Sequence, residues 1–293
     1  MNVRQQDSLL LYHPGALGDN VLTWPILAGL RQTYLEYHFI GVGNPDILSA
    51  AKQIGLIDHF IDQNALELLP FWAGNSLPDI FFPVKGALLW LNQPDPVVSL
   101  LKKHCTLPVV QISQKSNQTQ HMTLYYWEKI KSHYPVPHPD LTANIKESPR
   151  NRLKYVLIHP GSGSPSKNYP VYFYREIAST LQQNTSNEIA FILGPAEIER
   201  GIEQNLQDFL CFKPQNIISL VKILQQASLF IGNDSGVSHL AGFLSIPTIA
   251  IYKTTDPGIW GVRGQYSKHV FAENSKSALA VISQFMQKYV NKS

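Results

Sequence analysis

Short apolar runs alternate with helix-length amphipathic stretches along the whole chain of 293 residues. That rhythm confines the chain to βαβ architecture, in which parallel strands lie buried between helices. In the first half it predicts strands over 9–13, 39–42, 59–61, 80–84 and 109–112, and helices over 20–34, 46–54, 96–104 and 122–133. Pro25 either kinks the first helix or marks its true start. A polar, proline-bearing stretch over 134–152 breaks the rhythm and reads as an interdomain linker. Beyond it the pattern restarts, with strands expected over 155–159, 189–193, 217–219, 229–231, 248–252 and 269–271. Helices are expected over 171–182, 196–208, 220–226, 236–244 and 277–290. The two halves echo each other in LLLYHPGALGD and YVLIHPGSGSP, each a strand followed by His-Pro-Gly and a loop of small residues. Two similar α/β domains are the simplest reading.

Composition removes several function classes. Lys plus Arg number 24 and Asp plus Glu 21, a net charge of +3. That excess is too weak to argue for nucleic acid but suits an anionic small molecule. Only 15% of residues are charged, so much of the surface is neutral and polar. Cys105 and Cys211 fit no metal or redox spacing, and a reduced cytosolic protein is the plain reading. The apolar run before Pro14 is too short for a signal peptide, and no stretch approaches a membrane span. The expectation is a cytoplasmic protein, with peripheral attachment to a membrane left open.

Candidate chemistry gathers at predicted strand ends. Gly15 and Gly18 in GALGD permit close approach of a ligand, while Asp19 either caps the helix or acts in catalysis. Neither this loop nor Gly41-Val42-Gly43 has the G-x-G-x-x-G spacing of a dinucleotide site. In HPGSGSPSKNYP, the small residues Ser162, Gly163 and Ser164, with Lys167, form either a phosphate cradle or an exposed loop. Walker spacing is absent. Glu197 in GPAEIE favours a helix start through the dipole, and a carboxylate there can also accept both hydroxyls of a ribose. In GNDSGVSHLAGFLSIP, Asp234 and Ser235 are expected to cap a helix, Gly236 to let a ligand approach, and His239 to share their face. Thr255 and Asp256, in TTDPG, end the next strand on the same edge. Four polar loops at one sheet edge define a site. The ten histidines show no ligand spacing with a carboxylate or Cys, so no metal is expected.

Taken in order, PGALGDNVLTWPIL, HPGSGSPSKNYP, GPAEIE, GNDSGVSHLAGFLSIP and TTDPG resemble the family 9 glycosyltransferases, the ADP-heptose:lipopolysaccharide heptosyltransferases. The resemblance covers nearly the whole chain, strongly in the second half and thinly from about 45 to 150. It implies a GT-B fold: two Rossmann-like domains facing across a cleft, an acceptor-side domain over 1–145 and a nucleotide-sugar domain over 153–275. It also implies that a C-terminal helix, 276–291, packs back on the first domain. The implied activity is inverting transfer from a nucleotide-diphospho-sugar, usually ADP-heptose, to a glycan or glycolipid of the lipopolysaccharide core, at the inner membrane and without a cofactor. By position, Asp19 matches the family's base, Lys167 a lysine near the diphosphate, and Glu197 a glutamate that holds the ribose. Asp234 matches the carboxylate near the sugar, with Ser235, Gly236 and His239 in its loop and Thr255 and Asp256 in the following T-D-P. Gly15 and Gly18 fall on the acceptor side. Two positions depart: His13 stands where members often carry a basic residue, and Lys253 where a small one precedes T-D-P. A non-catalytic relative that binds a nucleotide or glycan is the alternative from another class.

Overall fold

The computed structural model describes residues 6–81, 83–93, 95–114, 119–139 and 154–290. Two compact units emerge, one of Met1–Ala16 and Thr23–Asp140 and the other of Leu17–Leu22 and Leu141–Ser293. In the first, strands β1 (Ser8–His13), β2 (His38–Gly43), β3 (His59–Asp62), β4 (Val84–Trp90) and β5 (Val109–Ile112) form one sheet. Its order is β3-β2-β1-β4-β5 and every pairing is parallel. Both faces are covered, which is why these strands read as continuous apolar runs rather than alternating ones.

Helix α1 (Leu17–Val21) is short and belongs to the second unit. Around the first sheet lie α2 (Trp24–Thr33), α3 (Pro45–Gln53), α4 (Leu69–Trp72), α5 (Pro96–His104) and α6 (Met122–Lys131). Pro25 does mark a true start, because the expected helix over 20–34 breaks between α1 and α2 and the proline sits in α2's first turn. Asn44 caps α3 by accepting from the amides of Asp46 and Ile47, and Asp95 caps α5 through the amide of Val97. The core on one face of the sheet joins Leu10, Ile40, Val42 and Leu89 to Phe71, Phe81, Val97 and Leu101.

The first part of the expected linker is built into this unit. Tyr134 is 1% exposed. Trp127 donates its indole N–H to the Val136 carbonyl at 3.3 Å, and Val136 and Pro137 lie against Gly29. The remainder, 140–152, lies outside the described residues.

The second unit carries β6 (Tyr155–His159), β7 (Glu188–Ile192), β8 (Leu210–Phe212), β9 (Ala227–Asn233), β10 (Thr248–Tyr252) and β11 (Ser267–Phe271). The order is β11-β10-β9-β6-β7-β8, again wholly parallel. Counted from its own first strand this is 3-2-1-4-5-6, the dinucleotide-fold order, and the first sheet runs 3-2-1-4-5. The sequence echo is therefore structural, since β1 and β6 occupy the same place in their sheets. Its helices are α7 (Val171–Asn184), α8 (Pro195–Glu199), α9 (Ile217–Leu224), α10 (Gly236–Phe243), α11 (Pro257–Trp260) and α12 (Ser275–Tyr289).

Two expectations fail here. The strand expected at 217–219 is the start of α9, because the Asn216 side chain caps the Ser219 amide and the Ser219 hydroxyl accepts from Asn216 N–H. The helix expected over 196–208 stops early, since Gly201 adopts φ +66° and turns the chain. The C-terminal helix, expected over 276–291, is Ser275–Tyr289 and is built into the second unit. Ala278, Ile282, Phe285 and Met286 of α12 join Ile177, Leu181, Ile249 and Ile251 in the second unit's core, and Ser275 donates to Glu176 of α7. Among the described residues no helix is long and apolar enough to cross a membrane.

Candidate donor-binding site

In an open parallel sheet, ligands bind outside the carboxyl ends of the strands where the strand order reverses. In the second unit that point lies between β6 and β9. The loop after β6 holds Ser162 to Lys167, and the loop after β9 holds Asp234 and Ser235 and opens α10.

The strand ends are fixed to each other by buried polar bonds. Asn233, fully buried, donates to the Pro160 carbonyl at 2.6 Å and accepts the Tyr174 hydroxyl at 2.5 Å. Asn168 Oδ1 lies 2.6 Å from the Ser162 hydroxyl and 3.4 Å from Asn233 Nδ2. An unpaired buried polar group costs about 1–3 kcal/mol, so this set favours one arrangement of the two loops. Sequence reasoning passed over Asn233, Asn168 and Tyr174. An amide side chain closing the otherwise apolar ASLFIGN was the available signal for the first.

Within that frame the charged residues meet. Lys167 Nζ lies 2.7 Å from Asp234 Oδ2, and Asp234 is only 5% exposed. His239 Nε2 is 3.9 Å from Asp234 Oδ1. Asp234 does not cap α10. Ser235 does, accepting from the Ser238 amide, which leaves both Asp234 oxygens turned toward Lys167 and His239. A carboxylate beside the first turn of α10 is favoured by the helix dipole.

Helix α1 packs along α10. A Cβ on Gly236 would stand 2.9 Å from Gly18 N and 3.0 Å from Leu17 Cβ, so only glycine allows this approach. A Cβ on Gly18 would stand 3.5 Å from His239 Cδ2, and Asp19 follows it as the third residue of α1 rather than its cap. Gly15 belongs to the first unit, where its amide donates to His13 Nδ1 at 3.1 Å.

Glu197 is 3% exposed and accepts the Gly194 amide at 2.9 Å. Its carboxyl group passes so close to Gly161 that a Cβ there would fall 1.8 Å from Oε1. Beneath it His159 Nδ1 donates to the Ile192 carbonyl, 3.0 Å away. Burial pushes the His159 imidazole down, and the Glu197 charge pulls it the other way. Other expected contacts are turned inward or capping. The Ser162 hydroxyl serves Asn168 and the Ser164 carbonyl, and Asp256 caps α11 by accepting from Gly258 N at 2.7 Å. Gly163 is open, Ser164 lies 2.9 Å from the Ser166 hydroxyl, and Thr255 is half-buried. Among the described residues no three His, Cys, Asp or Glu gather as a metal site.

Two wholly parallel Rossmann-like units, one with a polar loop set at its switch point, define an α/β protein of the GT-B class. The model of glycosyltransferase family 9 (heptosyltransferase) matches residues 101–290, and the chain belongs to that family. Lipopolysaccharide heptosyltransferase 3 of Escherichia coli K12 is 23% identical over 83% of this chain and 81% of its own length. Other curated relatives match more locally. A lipopolysaccharide heptosyltransferase 1 of Pseudomonas aeruginosa is 25% identical over 40% of this chain. The chain spans about a third of the length of the curated relatives it matches first, 36%, 33% and 31%. Among solved structures, a family 9 glycosyltransferase of Veillonella parvula superposes with TM-score 0.73 at 15% identity, covering 96% of this chain and 93% of that one. The E. coli heptosyltransferase WaaC with ADP gives 0.73 at 16%, covering 96% and 99%.

Proposed function

We propose that this protein transfers a sugar, heptose from ADP-heptose, to a glycan or glycolipid acceptor of the lipopolysaccharide core, with inversion at the transferred carbon. The observation that carries the reading is the meeting of Lys167, Asp234 and His239 at the β6/β9 switch point, with α1, the helix that bears Gly18 and Asp19, packed on α10. Family membership and the heptosyltransferase relatives support it. The partners are the nucleotide-sugar and the acceptor, met in the cytoplasm and, for a lipid-borne acceptor, at the membrane surface.

In the proposed step the Asp19 carboxylate takes the proton of an acceptor hydroxyl as its oxygen bonds to the anomeric carbon. The bond from that carbon to the diphosphate breaks, and the nucleoside diphosphate leaves with the electron pair. Charge developing on the leaving group falls to Lys167 and to the amides of the 161–164 loop and of α10's first turn. Glu197 would hold the ribose. Its buried, amide-bonded carboxylate is already fixed for that, so binding loses little freedom.

The test is Asp19→Asn, which removes the proton acceptor while keeping size. Transfer from ADP-heptose should fall by roughly 10²-fold or more, the ordinary weight of a general base. ADP affinity should stay within a factor of about two. Unchanged turnover would remove Asp19 as the base. Tight ADP binding with no wild-type turnover on any acceptor would instead leave a non-catalytic binding protein.

A further inference from the structure

The Lys167 ammonium is not a spare charge. At 2.7 Å from a carboxylate that is 5% exposed, it is partly offset by Asp234. A nucleoside diphosphate arriving at the switch point would meet a cation already committed to another anion. A second positive charge lies on the neighbouring strand. Asn233 on β9 is in register with Ile251 on β10, and Asp234 N donates to the Ile251 carbonyl at 3.1 Å. Lys253 therefore leaves β10 immediately beside the loop that opens α10. Its ammonium does not point away along the sheet edge. Nζ lies 3.4 Å from the carbonyl of Asn168 and 6.0 Å from the Tyr169 ring centroid. Asn168 belongs to the loop after β6, and β9 stands between β10 and β6. The side chain thus crosses the carboxyl end of β9, above the start of α10, to reach the residue next to Lys167. Among the described residues no carboxylate comes within 4.0 Å of it, and Asp256, three residues on, is turned to Gly258 N.

We propose that Lys253 is a second binding cation for the donor's diphosphate, adding to the Lys167 charge that Asp234 partly offsets. The proposal rests on the donor-site reading above. A flexible ammonium beside a ring of backbone amides is suited to phosphate oxygens as a point charge, without the fixed fork of an arginine. Its contribution should be screened by salt, because the side chain is exposed.

The experiment is titration calorimetry of wild type, Lys253→Ala, Lys253→Gln and Lys253→Arg with ADP and with adenosine, at low and at moderate salt. Both uncharged variants should bind ADP about tenfold more weakly at low salt, bind adenosine within about twofold of wild type, and show a shallower salt dependence for ADP. Lys253→Arg should keep most of the ADP affinity. Melting temperatures without ligand should not move, since the side chain touches one carbonyl and one ring face. ADP affinity indifferent to both uncharged variants overturns the proposal, as does an equal fall for ADP and adenosine, which would make Lys253 a prop for the loop. A wild type that binds neither ADP, UDP nor GDP would overturn the donor-site reading itself, an outcome distinct from either of these.

Discussion

At the scale of single residues, the two echoed histidines show how burial sets chemistry. His13 and His159 end the central strands of their sheets and are 5% and 4% exposed. Burial pushes the His13 imidazole from 6.5 down to about 3, and its Nδ1 accepts a hydrogen bond from Gly15 N–H rather than carrying a proton of its own. The unfolded chain protonates this histidine below about pH 6.5, while the folded chain does not until about pH 3. Protons therefore favour the unfolded state throughout that interval, and stability falls as pH falls through it. The slope from this one group is about 1.4 kcal/mol per pH unit once the unfolded side chain is charged. Replacing His13 with Gln should flatten the decline of the urea midpoint between pH 6 and pH 4 by that order. An unchanged pH slope would mean that His13 is charged in the fold.

At the scale of elements, α12 carries the clearest expectation. Burying an apolar side chain contributes roughly 1.5–3 kcal/mol, and α12 buries Ile282, Phe285 and Met286 in the second unit. Their sum is comparable with the whole stability of a domain, ~5–15 kcal/mol. Ending the chain at Asn274 should therefore melt the second unit, seen as lost protection from amide exchange in β6, β9 and β10. Retained protection there would show that the helix is not part of that core. Sequence pattern foresaw α12 itself, but an amphipathic face does not say which core it covers. Most strands were legible for the opposite reason, since a buried parallel strand needs an apolar run wherever it lies. β4 was not, being expected at 80–84 and found at Val84–Trp90. Lys85 and Gly86 interrupt its start, and Gly86 is small because the Tyr134 hydroxyl and Leu107 press on it. β8 escaped because three residues at a sheet edge, with Leu210 exposed, leave little pattern to find. The site loops were legible by composition, yet the roles within them were not. Whether Asp234 caps a helix or faces a lysine depends on Lys167, far off in sequence.

At the scale of the whole molecule, the chain enters the second unit twice. Leu17–Leu22 is separated by Thr23–Asp140 of the first unit from the rest of the fold it joins, and Gly236 is glycine so that Gly18 and Leu17 can lie against it. Such a protein cannot be recombined like beads on a string. A chimaera that takes a relative's second half from residue 154 onward would keep this chain's α1 over a foreign α10, with any side chain at position 236 striking Gly18 N. Exchanging Leu17–Leu22 together with that half should give the higher melting temperature of the two hybrids. Equal melting temperatures would mean that the small segment is indifferent to its neighbour. The unit of inheritance is then a discontinuous one, and the helix that bears the proposed base travels with the half of the protein proposed to take the nucleotide.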